Sequence, residues 1–214
     1  QSEPELIHDE LAVEEHLIGK DLYILGDFKN AIIHFSNSIN IDPTIDENYI
    51  SRGNAYRELN QLDLAEKDFL EVIKIRPDLS YMAYNNIGNL YKRRNEPLKA
   101  IEFFEKSIDA NKFCFDCFYN AGLSYAKISK HEKAIDSFQK ATKINSNYSN
   151  SFYNMANSYF ALKKYNEAIQ NYSIALDLNP NNTNEIVYNR GMCYANIENF
   201  SMARKDFETF TLSI

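Results

Sequence analysis

Residues 119–138 read YNAGLSYAKISKHEKAIDSF, and the spacing within them predicts the fold. Gly122 is followed by Tyr125 three residues later, by Ala134 twelve residues later and by Phe138 sixteen residues later. The small residues let two helix backbones approach closely, and the aromatic rings fill the groove between them. This segment therefore predicts a pair of packed helices.

The same spacing recurs along the whole chain. The small residue is in turn Gly19, Gly53, Gly88, Gly122, Ala156 and Gly191, at intervals of 34 or 35 residues. The aromatic residue sixteen positions later is Phe35, Phe69, Phe104, Phe138, Tyr172 and Phe207. A fixed period of this length is typical of repeat proteins, in which each unit buries its apolar face only against its neighbours.

The pattern resembles the tetratricopeptide repeat family, whose unit is a helix–turn–helix of about 34 residues. With the small residue at position 8 of each unit, six repeats are expected, at residues 12–45, 46–79, 81–114, 115–148, 149–182 and 184–214. The resemblance implies an all-α fold, a right-handed superhelical α-solenoid of helix pairs. We expect residues 12–214 to form one solenoid domain, preceded by an acidic segment over residues 1–11.

The glycines and cysteines exclude several kinds of active site. Five of the six glycines lie at the helix-packing position and Gly26 lies in a turn, so none is left for a phosphate-binding loop. Cys114 and Cys117 have no second Cys or His pair nearby in the sequence, so we expect two partly buried thiols. The four histidines are scattered, and neither a metal nor a cofactor is expected.

The charge balance restricts the partners. The chain has 23 basic and 30 acidic side chains, for a net charge of −7, which argues against a nucleic-acid partner. No apolar run approaches the roughly 20 residues that a membrane helix needs, so no membrane insertion is expected. We expect a cytoplasmic, non-catalytic protein.

The family resemblance implies that the first helix of each unit lines a concave groove. Candidate peptide-binding residues on these helices are Asn86, Asn89, Asn120, Asn154, Asn157, Asn189, Tyr119, Tyr153, Tyr188, Lys92, Arg93 and Lys127. Asparagine stands at position 6 in four successive units, which resembles the asparagine ladder of O-linked N-acetylglucosamine transferases. An amide side chain both donates and accepts, so it can pair with a peptide backbone without reading its side chains.

Two alternatives remain open for these residues. The Tyr-Asn pair before the glycine is close to the family's general consensus, so it is also consistent with ancestry or local packing. The basic residues Arg57, Lys92, Arg93 and Lys127 either are simply solvated or receive an acidic stretch of a ligand. The clamp by which co-chaperones of this family bind a terminal carboxylate is not expected, because no unit has Lys at position 2 or Arg at position 6.

These observations favour a scaffold or adaptor that holds an extended peptide segment of a partner protein. The alternatives are the substrate-recruiting arm of a larger, glycosyltransferase-like enzyme and an architectural subunit of a large assembly. Phe207, Phe210, Leu212 and Ile214 give the last unit an apolar face. This face predicts either a chain that continues beyond it or self-association through the C-terminal end.

Overall fold

The structure is a computed structural model that describes residues 3–178 and 180–211. Within those ranges the chain is all-α, with twelve α-helices joined by short turns. They are α1 Glu3–Ile24, α2 Phe28–Ile41, α3 Asp46–Glu58, α4 Leu62–Ile75, α5 Ser80–Arg93, α6 Pro97–Ala110, α7 Phe115–Lys127, α8 His131–Ile144, α9 Ser149–Ala161, α10 Tyr165–Asp177, α11 Thr183–Asn196 and α12 Phe200–Thr211. The predicted all-α fold of helix pairs is confirmed, with one pair for each expected repeat.

The helices form two compact units, which divide after Asn111. In the first unit each helix from α1 to α6 packs against the next, and a short 3₁₀ turn at Pro77–Leu79 lies at the α4–α5 junction. In the second unit α7 to α12 pack in the same consecutive manner. Each unit thus contains three helix pairs, whose apolar faces are covered by their neighbours in sequence.

The turn inside each repeat has one geometry. Its residue at position 15 adopts a left-handed backbone, with φ of 81° at Gly26 and 58–60° at the five residues Asn60, Asn95, Ser129, Lys163 and Glu198. The N–H of the following residue donates to the carbonyl five residues earlier, as from Lys164 to Tyr159 at 2.9 Å. This Schellman arrangement ends the first helix and reverses the chain.

The packing glycines lie directly under the aromatic ring of their own repeat. A Cβ atom added at Gly122 would stand 2.6 Å from Cε1 of Phe138, and one added at Gly88 would stand 2.5 Å from Cε1 of Phe104. Both rings are fully buried. The predicted close approach of the two helices is confirmed, because an added side chain at Gly88 or Gly122 would clash with the ring.

Repeats 2 and 6 each contain an ion pair that joins their own two helices, and the two pairs have the same geometry. Arg52 donates to both carboxylate oxygens of Asp68, at 2.9 and 2.8 Å. Arg190 binds Asp206 in the same two-pronged way, at 2.8 Å for each bond. The hydrogen bond and the charge of Asp206 raise the pKa of Arg190 against the opposing effect of burial. Sequence reasoning missed these pairs, which neutralise charges that burial would otherwise penalise.

The cysteines depart from expectation. Cys114 and Cys117 form a disulfide, so the prediction of two partly buried thiols is wrong. Both sulfurs lie at the start of α7, where the helical backbone brings the two Cα atoms to 5.3 Å. That separation lies within the range that a disulfide spans. Cys193 is buried and free, and burial raises the pKa of its thiol to about 12.

Candidate functional site

An open pocket lies between repeats 5 and 6 in the second unit, with a volume of about 440 Å³. We call it the α9–α11 pocket, and its lining residues are Asn157, Phe160, Tyr172, Tyr188, Asn189 and Met192. Three of these, Asn157, Tyr188 and Asn189, were candidate peptide-binding residues. The pocket therefore combines aromatic walls with two amide side chains.

The polar groups of the α9–α11 pocket are linked to one another. Tyr172, which is 1% exposed, donates its hydroxyl to Oδ1 of Asn157 at 2.5 Å. Burial first, and then a hydrogen bond to Glu185, raise the pKa of Tyr153 to about 12, while hydrogen bonds with Asn157 and Asn189 oppose the rise. Hydrogen bonds thus link Tyr153 to both pocket amides.

Tyr188 forms one wall of the pocket, and its ring packs against the last helix, α12. Its ring lies 5.8 Å from that of Phe207 and 5.2 Å from that of Phe210, measured between centroids. The residue is nevertheless 43% exposed. Tyr188 therefore offers a rigid aromatic surface whose orientation α12 determines.

The candidates of repeat 4 are connected to those of repeat 5. Asn154 donates its amide hydrogens to the hydroxyl of Tyr119 at 3.2 Å and to the carbonyl of Asn150 at 2.7 Å. Burial raises the pKa of Tyr119, so its phenol stays protonated. In this unit, Tyr at position 5 of one repeat thus pairs with Asn at position 6 of the next, as Tyr153 does with Asn189. Asn120, on α7, is half-buried.

The basic candidates fall in both units. In the first unit Asn89, Lys92 and Arg93 line a pocket of about 430 Å³ together with Arg57 and Glu58. Arg57 donates to Glu58 at 3.1 Å and Arg93 donates to it at 3.3 Å. Burial opposes the shift, but these two guanidinium groups hold the pKa of Glu58 below its usual value. Two guanidinium groups therefore bind one carboxylate here, and Lys92 lines the same pocket.

The two remaining candidates lie outside these pockets. Asn86 is half-buried on α5 in the first unit. Lys127 is exposed as the last residue of α7 and belongs to the second unit.

A further pocket, between repeats 1 and 2, was not among the predicted sites. This α1–α3 pocket has a volume of about 160 Å³ and is lined by Lys20, Tyr23, Ile24, Phe35, Ser51 and Asn54. Its residues stand at positions 9, 12, 13 and 24 of one repeat and 6 and 9 of the next. The α9–α11 pocket is lined by the same positions, namely 9, 12 and 24 of one repeat and 6 and 9 of the next. The repeat register is therefore the sequence signal that could have located the α1–α3 pocket.

Residues 3–178 and 180–211 contain neither a cluster of metal ligands nor a helix that could span a membrane. No group of three or more His, Cys, Asp or Glu side chains in these ranges is arranged to hold a metal ion. No helix there is long and apolar enough to cross a membrane.

Similar solved structures share the fold. A pilF structure from Pseudomonas aeruginosa superposes with a TM-score of 0.77 at 16% identity, over 93% of this chain and 90% of that one. YrrB, described as a tetratricopeptide repeat protein with an unusual peptide-binding site, gives a TM-score of 0.62 at 16% identity, over 80% of this chain and 88% of its own. At these identities the likeness shows the fold alone.

Sequence comparison identifies the family. Hsp70-Hsp90 organizing protein 2 of Arabidopsis thaliana is 32% identical over 68 residues, which is 32% of this chain but only 12% of that protein. Tetratricopeptide repeat profiles match residues 46–79, 82–114, 115–148 and 149–182, in register with four of the predicted repeats. These matches cover more than half of the chain, which therefore belongs to the tetratricopeptide repeat family.

Proposed function

We propose that this protein is a non-catalytic scaffold that binds an extended peptide segment of a partner protein. The observation that carries the proposal is the α9–α11 pocket, where exposed Tyr188 stands beside two amides held by Tyr153 and Tyr172. Aromatic walls with a few fixed polar groups are typical of sites that hold a side chain and orient its backbone. Proteins of this family generally act through protein–protein interaction, which agrees with the proposal.

The internal hydrogen bonds decide what each amide offers to a peptide. Tyr172 donates to Oδ1 of Asn157, and one Nδ2 hydrogen of Asn157 bonds Tyr153, so Asn157 offers its other Nδ2 hydrogen to a peptide carbonyl. Asn154 has given its Nδ2 hydrogens to Tyr119 and Asn150, so it offers Oδ1 to a peptide N–H. Neighbouring asparagines with opposite roles suit a backbone in which donors and acceptors alternate. The asparagine ladder that we propose is the set of amides at position 6, of which Asn120, Asn154 and Asn189 lie in the second unit, and Asn157 adds a donor beside them.

The ligand is an internal segment, not a terminal carboxylate. Position 2 carries Glu47, Asp116 and Glu185, and Glu185 lies close enough to hydrogen-bond Tyr153 beside the pocket. A carboxylate there would be repelled. The basic pocket around Arg57 and Arg93, in the first unit, would by itself attract an acidic peptide segment.

A peptide selection tests the proposal. A random peptide library displayed on phage is selected on the whole chain, and the affinity of the selected peptides is measured by fluorescence anisotropy. The double substitution Asn157→Ala plus Asn189→Ala removes two hydrogen bonds and should weaken binding about tenfold. Asn171→Ala is the matched control, because this amide on α10 does not line the pocket and bonds its own helix, at the carbonyl of Glu167. Equal affinity of the double variant and the control would refute the proposal.

The C-terminal face supports a second candidate, self-association. A surface lined by Ala195, Phe200, Ala203 and Phe207 is open, and Phe200 is 68% exposed. Leu212 and Ile214, which were predicted to extend it, lie outside the described residues. Sedimentation velocity over a range of concentrations distinguishes the candidates, since Phe200→Asp should abolish any dimer and leave the selected peptides bound.

The remaining predictions concern the cell and the whole protein. A cytoplasmic location, and one solenoid domain over residues 12–214 after an acidic segment, stay predictions. An arm of a larger enzyme or a subunit of a large assembly would use the same pockets, so crosslinking mass spectrometry of the purified assembly separates these alternatives by identifying the partner and the contacted face.

A further inference from the structure

We propose that Cys114 and Cys117 form a redox-active site, whose disulfide exchanges with small-molecule thiols of the glutathione type while α7 stays folded. The site is separate from the pockets and independent of the proposed peptide binding. It rests on where the two sulfurs lie, how differently they are exposed and what the helix start does to each of them.

The two cysteines have unequal access to solvent. Cys114 is half-buried at the N-cap of α7, whereas Cys117 is 0% exposed one turn further on. Phe113, next to Cys114, is 83% exposed, so the chain on that side is open. An incoming thiolate therefore attacks the sulfur of Cys114, and the sulfur of Cys117 is the leaving group. When the bridge forms again, the sulfur of Cys117 bonds Cys114 once more.

The helix start favours a thiolate at Cys114. The backbone N–H of Cys117 donates to Sγ of Cys114 at 3.2 Å. The positive end of the helix dipole and its unpaired N–H groups stabilise negative charge at this place. A Cys-x-x-Cys pair at a helix N-terminus is therefore a good nucleophile when reduced and a good leaving group in a mixed disulfide.

The bridge opens without a change in the backbone. The N–H of Phe118 donates to the carbonyl of Cys114 at 3.3 Å, so the first turn of α7 is closed by its own hydrogen bond. The two cysteines are only three residues apart in sequence. A loop this short restricts the unfolded chain least, so the bridge adds little to stability.

The exchange takes two balanced steps. A thiolate RS⁻ attacks Sγ of Cys114, the Cys114–Cys117 bond breaks, and Sγ of Cys117 leaves with the electron pair and takes a proton from water. A second RS⁻ attacks the RS sulfur of the mixed disulfide, which forms RSSR and releases Cys114 as a thiolate. The protein gains two electrons and two molecules of small thiol are oxidised.

A redox titration of the whole chain tests the inference. The protein is equilibrated in mixtures of reduced and oxidised glutathione, and free thiols are alkylated and located by mass spectrometry. Cys114 and Cys117 should become alkylated together over the accessible range of ratios, while helix content stays constant. Cys193 is the internal control, because its buried thiol should not react until the chain unfolds.

Two variants identify the attacked sulfur. Cys117→Ser should capture glutathione on Cys114 and react with iodoacetamide at least ~100-fold faster than Cys193. Cys114→Ser should capture none in the folded protein. The inference is overturned if the wild-type bridge resists every glutathione ratio until urea unfolds the chain, or if both cysteines are thiols throughout. An equal yield of adduct from the two variants would also overturn it.

Discussion

The α1–α3 pocket and the α9–α11 pocket stand at the same positions of their repeats and differ in chemistry. Position 9 carries Lys20 in the first pocket and Asn157 in the second. Position 24 carries Phe35 in the first and Tyr172 in the second, and the hydroxyl of Tyr172 holds Asn157. The first pocket therefore carries a cation beside Ser51 and Asn54, and the second is neutral, with one of its two amides held by a buried phenol.

The difference shows what the repeat fixes and what it leaves free. Helix packing requires a small residue at position 8 and a ring at position 24, and the repeats that form the two pockets both have them. Repeat 5 alone combines Ala156 with Tyr172, where the other repeats have glycine with phenylalanine. The repeat thus decides where a pocket lies, and a few side chains decide what it binds.

The largest effect should come from removing the ring at position 24. Phe35→Ala and Tyr172→Ala each delete a ring that is at most 1% exposed, so each should lower the free energy of unfolding by about 3–5 kcal/mol. Urea denaturation followed by circular dichroism measures both. Tyr172→Phe keeps the ring and should cost only about 1 kcal/mol. A similar cost for the two Tyr172 variants would mean that the hydroxyl, and not the ring, supports repeat 5.

The next effect concerns position 8. A Cβ atom at Gly19 would stand 2.7 Å from Cε1 of Phe35, so Gly19→Ala should destabilise the protein by about 2 kcal/mol through overpacking. Ala156→Gly, the matched change in repeat 5, relieves no clash and should cost about 1 kcal/mol in helix propensity. The same urea titration compares them. A gain in stability for Gly19→Ala would contradict the packing account.

The turns of the same two repeats should respond in opposite directions. Gly26 and Lys163 both have a left-handed backbone, which costs a residue with a side chain about 1 kcal/mol. Lys163→Gly should therefore raise the melting temperature, and Gly26→Ala should lower it. Lys164→Gly is the control, because φ there is −87° and glycine brings no relief. Calorimetry that finds equal changes at Lys163 and Lys164 would contradict this explanation.

The smallest effect is a pH dependence specific to the α9–α11 pocket. Burial raises the pKa of Tyr153 to about 12 from an ordinary value of 10.0. The folded state therefore prefers the neutral phenol, so this contribution to stability is complete below pH 10.0 and is lost as the pH rises through about 12. Near-ultraviolet absorbance of tyrosinate measures the titration. Tyr153→Phe should remove one tyrosine from the late phase, and its removal from the early phase instead would refute the assignment.

The fold was largely predictable, whereas the sites were predictable only in part. Gly122, Ala134 and Phe138 recur at one spacing because two helices meet there in every repeat, and such a local rule is readable from sequence. The disulfide between Cys114 and Cys117 was missed because the helix start, and not the spacing, brings the two sulfurs together.

The sequence alone determined the number of repeats, the register of the helices and the residues that each turn and core position requires, because these depend on contacts within 34 residues. Only the tertiary structure decided which polar groups pair between helices. Arg52 with Asp68, Tyr119 with Asn154 and Tyr172 with Asn157 became partners through helix packing. Hydrogen bonds depend on distances of a few ångströms, which the order of residues does not specify until the helices have packed.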